Sequence, residues 1–413
     1  MGDTLFLDKA NKFFGKLDNV KEGLYYFKHG NENKHFYLEP NDSLLIRLNT
    51  WDIDESIVFA GRGAERNNIL VDCYLENRED RVKFYNFNNL EPSEFQAKSD
   101  SILKIKLQTL NQFVTNHPKE TENFGKILKI ALTYPLYTKI EKYPLSHSKI
   151  KNYNKFPKLT SDFYEFRNEI EFNTNSLMYY PPYSYYIGNY LYNKTYTLGH
   201  SPLKTEYTSE FTIDLLNIIN YEISSETTKN VLLKQNLIGH FYNKSTCNIN
   251  KKPFDLYFKL SSNEEDKLQL KNLIDDTKAI DIKEKLPNFN VFDYTNIQHS
   301  IKDVIKNRNV LLFFWSPNNV SDSYIKPRME YLQSNYSNID FIQIKFKGDI
   351  KKSIKNLDIK NQFYIDSISE ANNFLTSKMP RTILINKSGQ IINGYASIAS
   401  FNLNPYLEKL NSY

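Results

Sequence analysis

Six apolar residues in a row, Val310-Leu-Leu-Phe-Phe-Trp315, constrain this chain more than any other stretch. The run is far too short to cross a bilayer, and its unbroken apolarity leaves no polar face for a surface helix. It reads as a strand covered on both faces, as in a parallel sheet with helices on either side. The residues after Trp315 fit that pattern. A loop, Ser316-Pro-Asn-Asn-Val-Ser-Asp322, leads to a helix that carries Pro327 early and places Ile325, Met329 and Leu332 on one face. A second core strand is expected at Ile339-Asp-Phe-Ile-Gln-Ile-Lys-Phe346 and a third at Thr382-Ile-Leu-Ile385. A last one, Gly389-Gln-Ile-Ile392, comes after an Asn-Lys-Ser-Gly hairpin turn. Alternating strands and helices from residue 285 onward define an α/β domain.

The rest of the 413 residues has a different texture, and the length calls for two or three domains. Residues 1–95 read as an N-terminal antiparallel β domain. Its strands are Gly23-Leu-Tyr-Tyr-Phe-Lys28, His35-Phe-Tyr-Leu38, the alternation of Leu44, Ile46 and Leu48 after a Pro40-Asn41-Asp42 turn, and Ile57-Val-Phe59 closed by Gly61-Arg-Gly63. Residues 96–284 read as an α-helical middle domain. Leu103, Leu107, Leu110 and Val114 make one stripe. Phe124, Leu128 and Ala131 make another, ending near Pro135. Tyr183, Tyr186, Ile187, Tyr190 and Leu191 make an aromatic one, expected to pack between helices rather than to line a ligand groove. Phe211, Leu215 and Ile218 continue the theme. Ser262-Asn-Glu-Glu265 reads as a capping box ahead of Leu268, Leu270 and Leu273. Residues 285–413 are the α/β domain.

Composition narrows the function classes. Aromatic residues make up 15% of the chain, which opposes disorder. The net charge of +5 arises from 53 basic and 48 acidic residues, and the longest basic clusters, Lys345-Phe-Lys347 and Lys351-Lys352, are short. Nucleic acid is therefore not an expected partner. No run of about 18 apolar residues is present, so no transmembrane segment is expected. Cys73 and Cys247 lie 174 positions apart. They read as two lone buried thiols, although a disulfide between them stays open. The histidines, His29, His35, His117, His147, His200, His240 and His299, form no close-spaced ligand pair, so neither a metal nor another cofactor is expected.

The α/β segment resembles the TlpA-like branch of the thioredoxin superfamily. There a strand ends in Trp, the two cysteines come four and seven residues later, and a proline comes at twelve. Counting from Trp315 lands on Asn319, Asp322 and Pro327. Lys378-Met-Pro380-Arg-Thr-Ile-Leu-Ile is similar to the second hallmark, a cis-proline ahead of a strand. That resemblance makes Met379 and Pro380 a candidate peptide-binding edge. Leu286-Pro-Asn-Phe-Asn-Val-Phe292 resembles the opening strand. The whole chain also resembles exported multi-domain TlpA-like proteins of Bacteroidota, through Tyr37-Leu-Glu-Pro-Asn-Asp-Ser43 and Phe59-Ala-Gly-Arg-Gly-Ala-Glu-Arg-Asn67.

The departure from that family is chemical. Thiol–disulfide exchange needs a thiolate and a resolving thiol, and Asn-Val-Ser-Asp stands where Cys-x-x-Cys would be. The expectation is a redox-inactive thioredoxin-like protein of the cell envelope or periplasm, without catalytic residues. It would bind a protein or peptide partner through the Trp315–Asp322 loop and the cis-proline face, unless that face packs on the chain's own helices. The alternative is an oxidoreductase acting through a non-standard cysteine. Asp322 is expected to cap the helix that begins beside it. Residues 1–10 show no signal peptide, and the resemblance implies an export segment, with a lipidated cysteine as tether, ahead of them.

Overall fold

The computed structural model describes residues 4–29, 32–204, 208–244, 249–280 and 282–412. They divide into two compact units, Met1–Lys204 and Thr205–Tyr413. The division at 204 falls inside the expected helical segment 96–284, rather than at 95 or 284.

In the first unit β1 (Gly23–His29) and β2 (Glu32–Leu38) form one antiparallel hairpin. A second joins β3 (Ser43–Arg47) to β4 (Val58–Arg62), with a short α1 (Ile53–Ser56) between them. The expected β domain also contains a long helix, α2 (Ala64–Phe87), which sequence texture missed. Its hydrophobic positions are scattered, and Arg66, Asn67 and Asp80 are buried among them, so no apolar stripe announces it. Gly63 enters this helix at φ 91°, and a Cβ there would lie 2.7 Å from the Asp42 carboxylate, so the turn requires glycine.

The stretches Tyr37–Ser43 and Phe59–Asn67 meet here. The Asn67 carboxamide accepts from Tyr37 N (2.7 Å) and donates to Tyr37 O (2.9 Å). Asn68 does the same for Phe59, with both distances 2.9 Å. Arg66 Nη2 reaches Asp42 Oδ1 at 2.6 Å, while Nη1 reaches Glu120 at 2.8 Å and Glu39 at 3.1 Å. A buried guanidinium is tolerable here because carboxylates surround it.

Three more helices complete the unit: α3 (Pro92–Asn116), α4 (Glu122–Lys151) and α5 (Pro181–Tyr196). On α3 the buried positions are Phe95, Ser99, Lys106 and Phe113, so the Leu103–Val114 stripe flanks the core instead of facing it. Pro135 does not end α4, which runs through it and through Pro144. Burial of Tyr134, Leu136, Tyr137, Ile140 and Tyr143 around these prolines outweighs the lost backbone bonds. On α4, Lys139 is bonded to Asn77 Oδ1 and to the Pro135 carbonyl (3.3 Å), and burial pulls its pKa down to about 8. The tyrosines of α5 pack on α4 as expected: Tyr134 lies 5.9 Å from Tyr183 and 5.2 Å from Tyr186, centroid to centroid.

The second unit opens with α6 (Ser209–Glu222), α7 (Glu226–Lys244), α8 (Lys252–Leu260) and α9 (Glu264–Lys278). The cap of α9 is Asn263, whose side chain accepts from Asp266 N, one residue after the expected Ser262. Leu268 faces solvent, and Leu270, Leu273, Asp276 and Thr277 are the buried face.

Next come β5 (Asn290–Asp293), β6 (Gln298–Ser300), α10 (Ile301–Ile305), β7 (Val310–Trp315), α11 (Asp322–Asn335) and β8 (Asp340–Lys345). The chain ends with β9 (Gln362–Tyr364), β10 (Arg381–Ile385), β11 (Ile391–Ala396) and α12 (Asn404–Asn411). Seven strands form one sheet in the order β11-β10-β7-β8-β9-β5-β6. β7, β8 and β9 run parallel, and the other pairings are antiparallel. Apolar clusters cover both faces: Leu312, Phe314 and Ile344 on one, Phe313, Trp315 and Met329 on the other. All six residues of β7 are buried, as the apolar run requires. The hairpin before β11 turns at Gly389, φ 77°, with Gly389 N donating to Asn386 O at 2.8 Å.

Candidate functional site

The loop between β7 and α11 closes on itself. Ser316 O accepts from Asn319 N and Val320 N, both at 3.0 Å, and α11 begins at Asp322 with Ser321 as its cap residue. Asp322 is thus the first residue of the helix rather than its cap, which corrects the capping expectation. It stands in the first helical turn, where a negative charge complements the helix dipole. Pro327 lies inside α11 on its exposed side.

Trp315 is buried, and the Lys345 ammonium sits 4.6 Å from its ring centroid. Lys345 belongs both to a short basic cluster in the sequence and to the expected 339–346 core strand, and the strand alternation turns it inward beside Phe341 and Gln343. It is 2% exposed and donates to the carbonyls of Asp349 (3.2 Å) and Lys352 (2.5 Å). Burial lowers its pKa, and the nearby charges of Asp322 and Asp349 oppose that shift. The indole thus serves as one wall for a buried cation.

Residues 376–380 face this loop. Asn319 Nδ2 donates to Lys378 O at 2.7 Å, and Lys378 itself adopts φ 55°, a left-handed conformation unusual for a residue with a side chain. The Met379–Pro380 peptide is trans: no cis peptide bond occurs among the described residues, which corrects the cis-proline expectation.

The segment is also held by the unit's own helices. From α9, the buried Asp276 carboxylate accepts four hydrogen bonds, from Thr376 N (2.9 Å), Thr376 Oγ1 (2.7 Å), Ser377 N (3.0 Å) and Ser377 Oγ (2.6 Å). Gln269 Nε2 donates to Ser377 O (3.2 Å) and approaches Met379 Sδ (3.5 Å). From α7, Tyr242 Oη donates to Pro380 O at 2.9 Å, joined there by Tyr395 Oη at 3.3 Å. Burial pushes both phenols upward. Beneath lies Arg381, fully buried, donating to Gly394 O and Phe374 O between the rings of Phe374 and Tyr395.

Of the candidate site residues, Trp315, Asn319, Asp322 and Pro327 frame the loop, and Asn319 bridges to the Met379–Pro380 segment. Asp276, Tyr242 and Lys345 were missed. A carboxylate three residues after Leu273, on the apolar face of α9, was the available signal for Asp276.

Of the two remote cysteines, only Cys73 lies among the described residues. Cys73 is buried in α2 and burial drives its thiol up to about 12, so it holds almost no thiolate at neutral pH. Cys247 lies outside the described residues. Among the described residues no group of three or more His, Cys, Asp or Glu side chains is placed to hold a metal, and no helix is long and apolar enough to cross a membrane.

The strand order, the parallel β7-α11-β8 unit and the terminal β10–β11 hairpin define a thioredoxin-like α/β domain over part of the chain. Solved structures similar to it include the thioredoxin domain of a thiol-disulfide oxidoreductase from Bacteroides vulgatus. That match has 18% identity and a TM-score of 0.25, and covers 32% of this chain and 97% of that one. A thiol:disulfide interchange protein from Bacteroides sp. matches at 18% identity and a TM-score of 0.26, over 33% of this chain and 93% of that one. An exposed lipoprotein thioredoxin from Streptococcus pneumoniae matches at 16% and 0.23, over 30% and 100%. No family model matches the chain, and neither does any curated protein.

Proposed function

We propose that this chain is a redox-inactive thioredoxin-like protein of the cell envelope that works by binding rather than by electron transfer. The observation that carries this reading is the Asn319–Lys378 hydrogen bond. The position of a nucleophilic sulfur holds an amide that ties the loop to the proline segment. An amide offers no redox couple, and no sulfur stands at position 322.

The face is also used differently. The backbone on both sides of Met379, at Ser377 and Pro380, is engaged by α9 and α7. The Met379–Pro380 edge is therefore an internal docking platform, and the exposed stretch 317–319 is the part left for a protein or peptide partner. An envelope location rests on the resemblance to exported proteins. The alternative is turnover through a non-standard cysteine, Cys73 or Cys247; for Cys73 it is disfavoured by burial, which raises the thiol to about 12.

Insulin reduction in the presence of dithiothreitol separates the two. The parent should match the uncatalysed rate. Catalysed turnover that disappears in a Cys73→Ser, Cys247→Ser chain would overturn the proposal. In the paired variant Asn319→Cys, Asp322→Cys, a loop disulfide should form, yet insulin turnover should stay low because the backbone on both sides of Met379 is occupied.

A further inference from the structure

The first unit contains a strand edge with no partner along it, while the neighbouring strands are each tied at one residue. Asn67 fills the outward N–H and C=O of Tyr37 on β2, Asn68 fills those of Phe59 on β4, and the Tyr179 hydroxyl takes Leu24 O on β1. Exposed edges template pairing with other chains, and proteins commonly close them. Among the described residues no strand lies on the far side of β3. Phe59 turns its backbone away from β3, so its partner Ile46 forms a non-hydrogen-bonded pair and turns its own N–H and C=O outward. Leu44, opposite Gly61, does the same.

The two faces beside that edge specify what would add to it. On the inner face Leu44, Ile46 and Leu48 are only partly buried against Ile53, Ile57 and Phe59, so an added strand would find apolar neighbours there. On the outer face stand Ser43, Leu45 and Arg47 with their partners Arg62, Ala60 and Val58, all exposed, Leu45 at 72%. Among the described residues, neither Arg47 nor Arg62 pairs with a carboxylate. The sequence Ser-Leu-Leu-Ile-Arg of β3 has no acid, so a second copy pairing through this edge would bring no carboxylate to Arg47 or Arg62.

We infer that β3 is a strand-addition site for an extended peptide that alternates apolar and acidic side chains. The peptide backbone would pair with Leu44 and Ile46, its apolar residues would extend the inner face, and its carboxylates would meet Arg47 and Arg62. The site lies outside the thioredoxin-like domain and does not depend on the role proposed for that domain.

The chain has its own reporter. Trp51, just beyond β3, is 94% exposed, and the other tryptophan, Trp315, is 1% exposed. The full chain would be titrated with acetyl-Glu-Val-Glu-Ile-Glu-Val-amide, monitoring Trp51 emission and the anisotropy of a labelled copy. The expected result is saturable binding, weakened at least tenfold by Arg47→Glu with Arg62→Glu. It should be abolished when alternate peptide amides are N-methylated, a control that leaves the protein untouched. Three outcomes would overturn the inference: no binding up to about 1 mM peptide, a range that still detects weak complexes; equal binding of the N-methylated peptide; or sedimentation showing self-association through β3 instead.

Discussion

Asn319 Nδ2 lies 2.7 Å from Lys378 O, joining the loop after β7 to a residue held at positive φ. The bond stands at the surface end of the face, so its strength is that of a partly solvated neutral contact. Asn319→Ala should cost roughly 0.5–1.5 kcal/mol. Asn319→Asp should cost more, because a carboxylate would meet the Lys378 carbonyl without a proton to share. Urea midpoints of the three proteins at neutral pH test the order. An aspartate variant as stable as the parent would exclude the amide as donor.

Asp276 is the deeper anchor. Its two oxygens serve four donors, two of them backbone N–H groups. Asp276→Ala should therefore destabilise the chain by about 2–4 kcal/mol, combining lost charge-assisted bonds with stranded donors. Asp276→Asn should also be damaging, since its NH2 would oppose two of those donors. Urea unfolding gives the cost, and proteolysis under native conditions should move its first cut toward residues 376–380. A neutral Asp276→Ala would mean that water replaces the carboxylate without penalty.

Cys73 should be silent to thiol reagents. In a Cys247→Ser background the native chain should show no reaction with Ellman's reagent at pH 8 over minutes and one thiol after denaturation, as expected for a buried thiol raised to about 12. Immediate native reactivity would place Cys73 at the surface.

Lys139 sets a pH dependence whose sign can be worked out. Its folded pKa of about 8 lies below the ordinary lysine value of 10.5. Between those values the unfolded chain binds more protons than the folded one, so the stability contributed by this group rises with pH. Below about pH 8 the charged lysine imposes its full burial cost, and the cost fades toward pH 10.5. Lys139→Met should thus be more stable than the parent near pH 7 by a margin that shrinks by about pH 10. Comparing the two proteins cancels the opposing titration of the buried tyrosines. A constant margin would show that Lys139 is solvated in the folded chain.

Much of the thioredoxin-like domain is legible in sequence because its strands are covered on both faces. The run 310–315, the 339–346 strand and the Asn386–Gly389 turn each leave only one reasonable assignment. The first unit is less legible. The long α2 hides behind buried Arg66, Asn67 and Asp80, which make sense only once Tyr37, Asp42 and Lys106 are seen beside them. Prolines 135 and 144 signal breaks that tertiary packing overrides. At the candidate site, spacing set Trp315, Asn319 and Asp322 between a strand and a helix, where β7 and α11 bracket them. It could not reveal that the proline segment is engaged by Asp276 and Tyr242, because those contacts span 101 and 138 residues of sequence.

Asn67 and Asn68 are adjacent near the start of α2, yet they grip different hairpins. Two-stranded hairpins are marginal in isolation, so each depends on a turn of helix that the other also uses. Their order is therefore shared: fraying at the start of α2 would loosen both ribbons together. The smallest cooperative element of this region is the three pieces together, stitched by two neighbouring carboxamides.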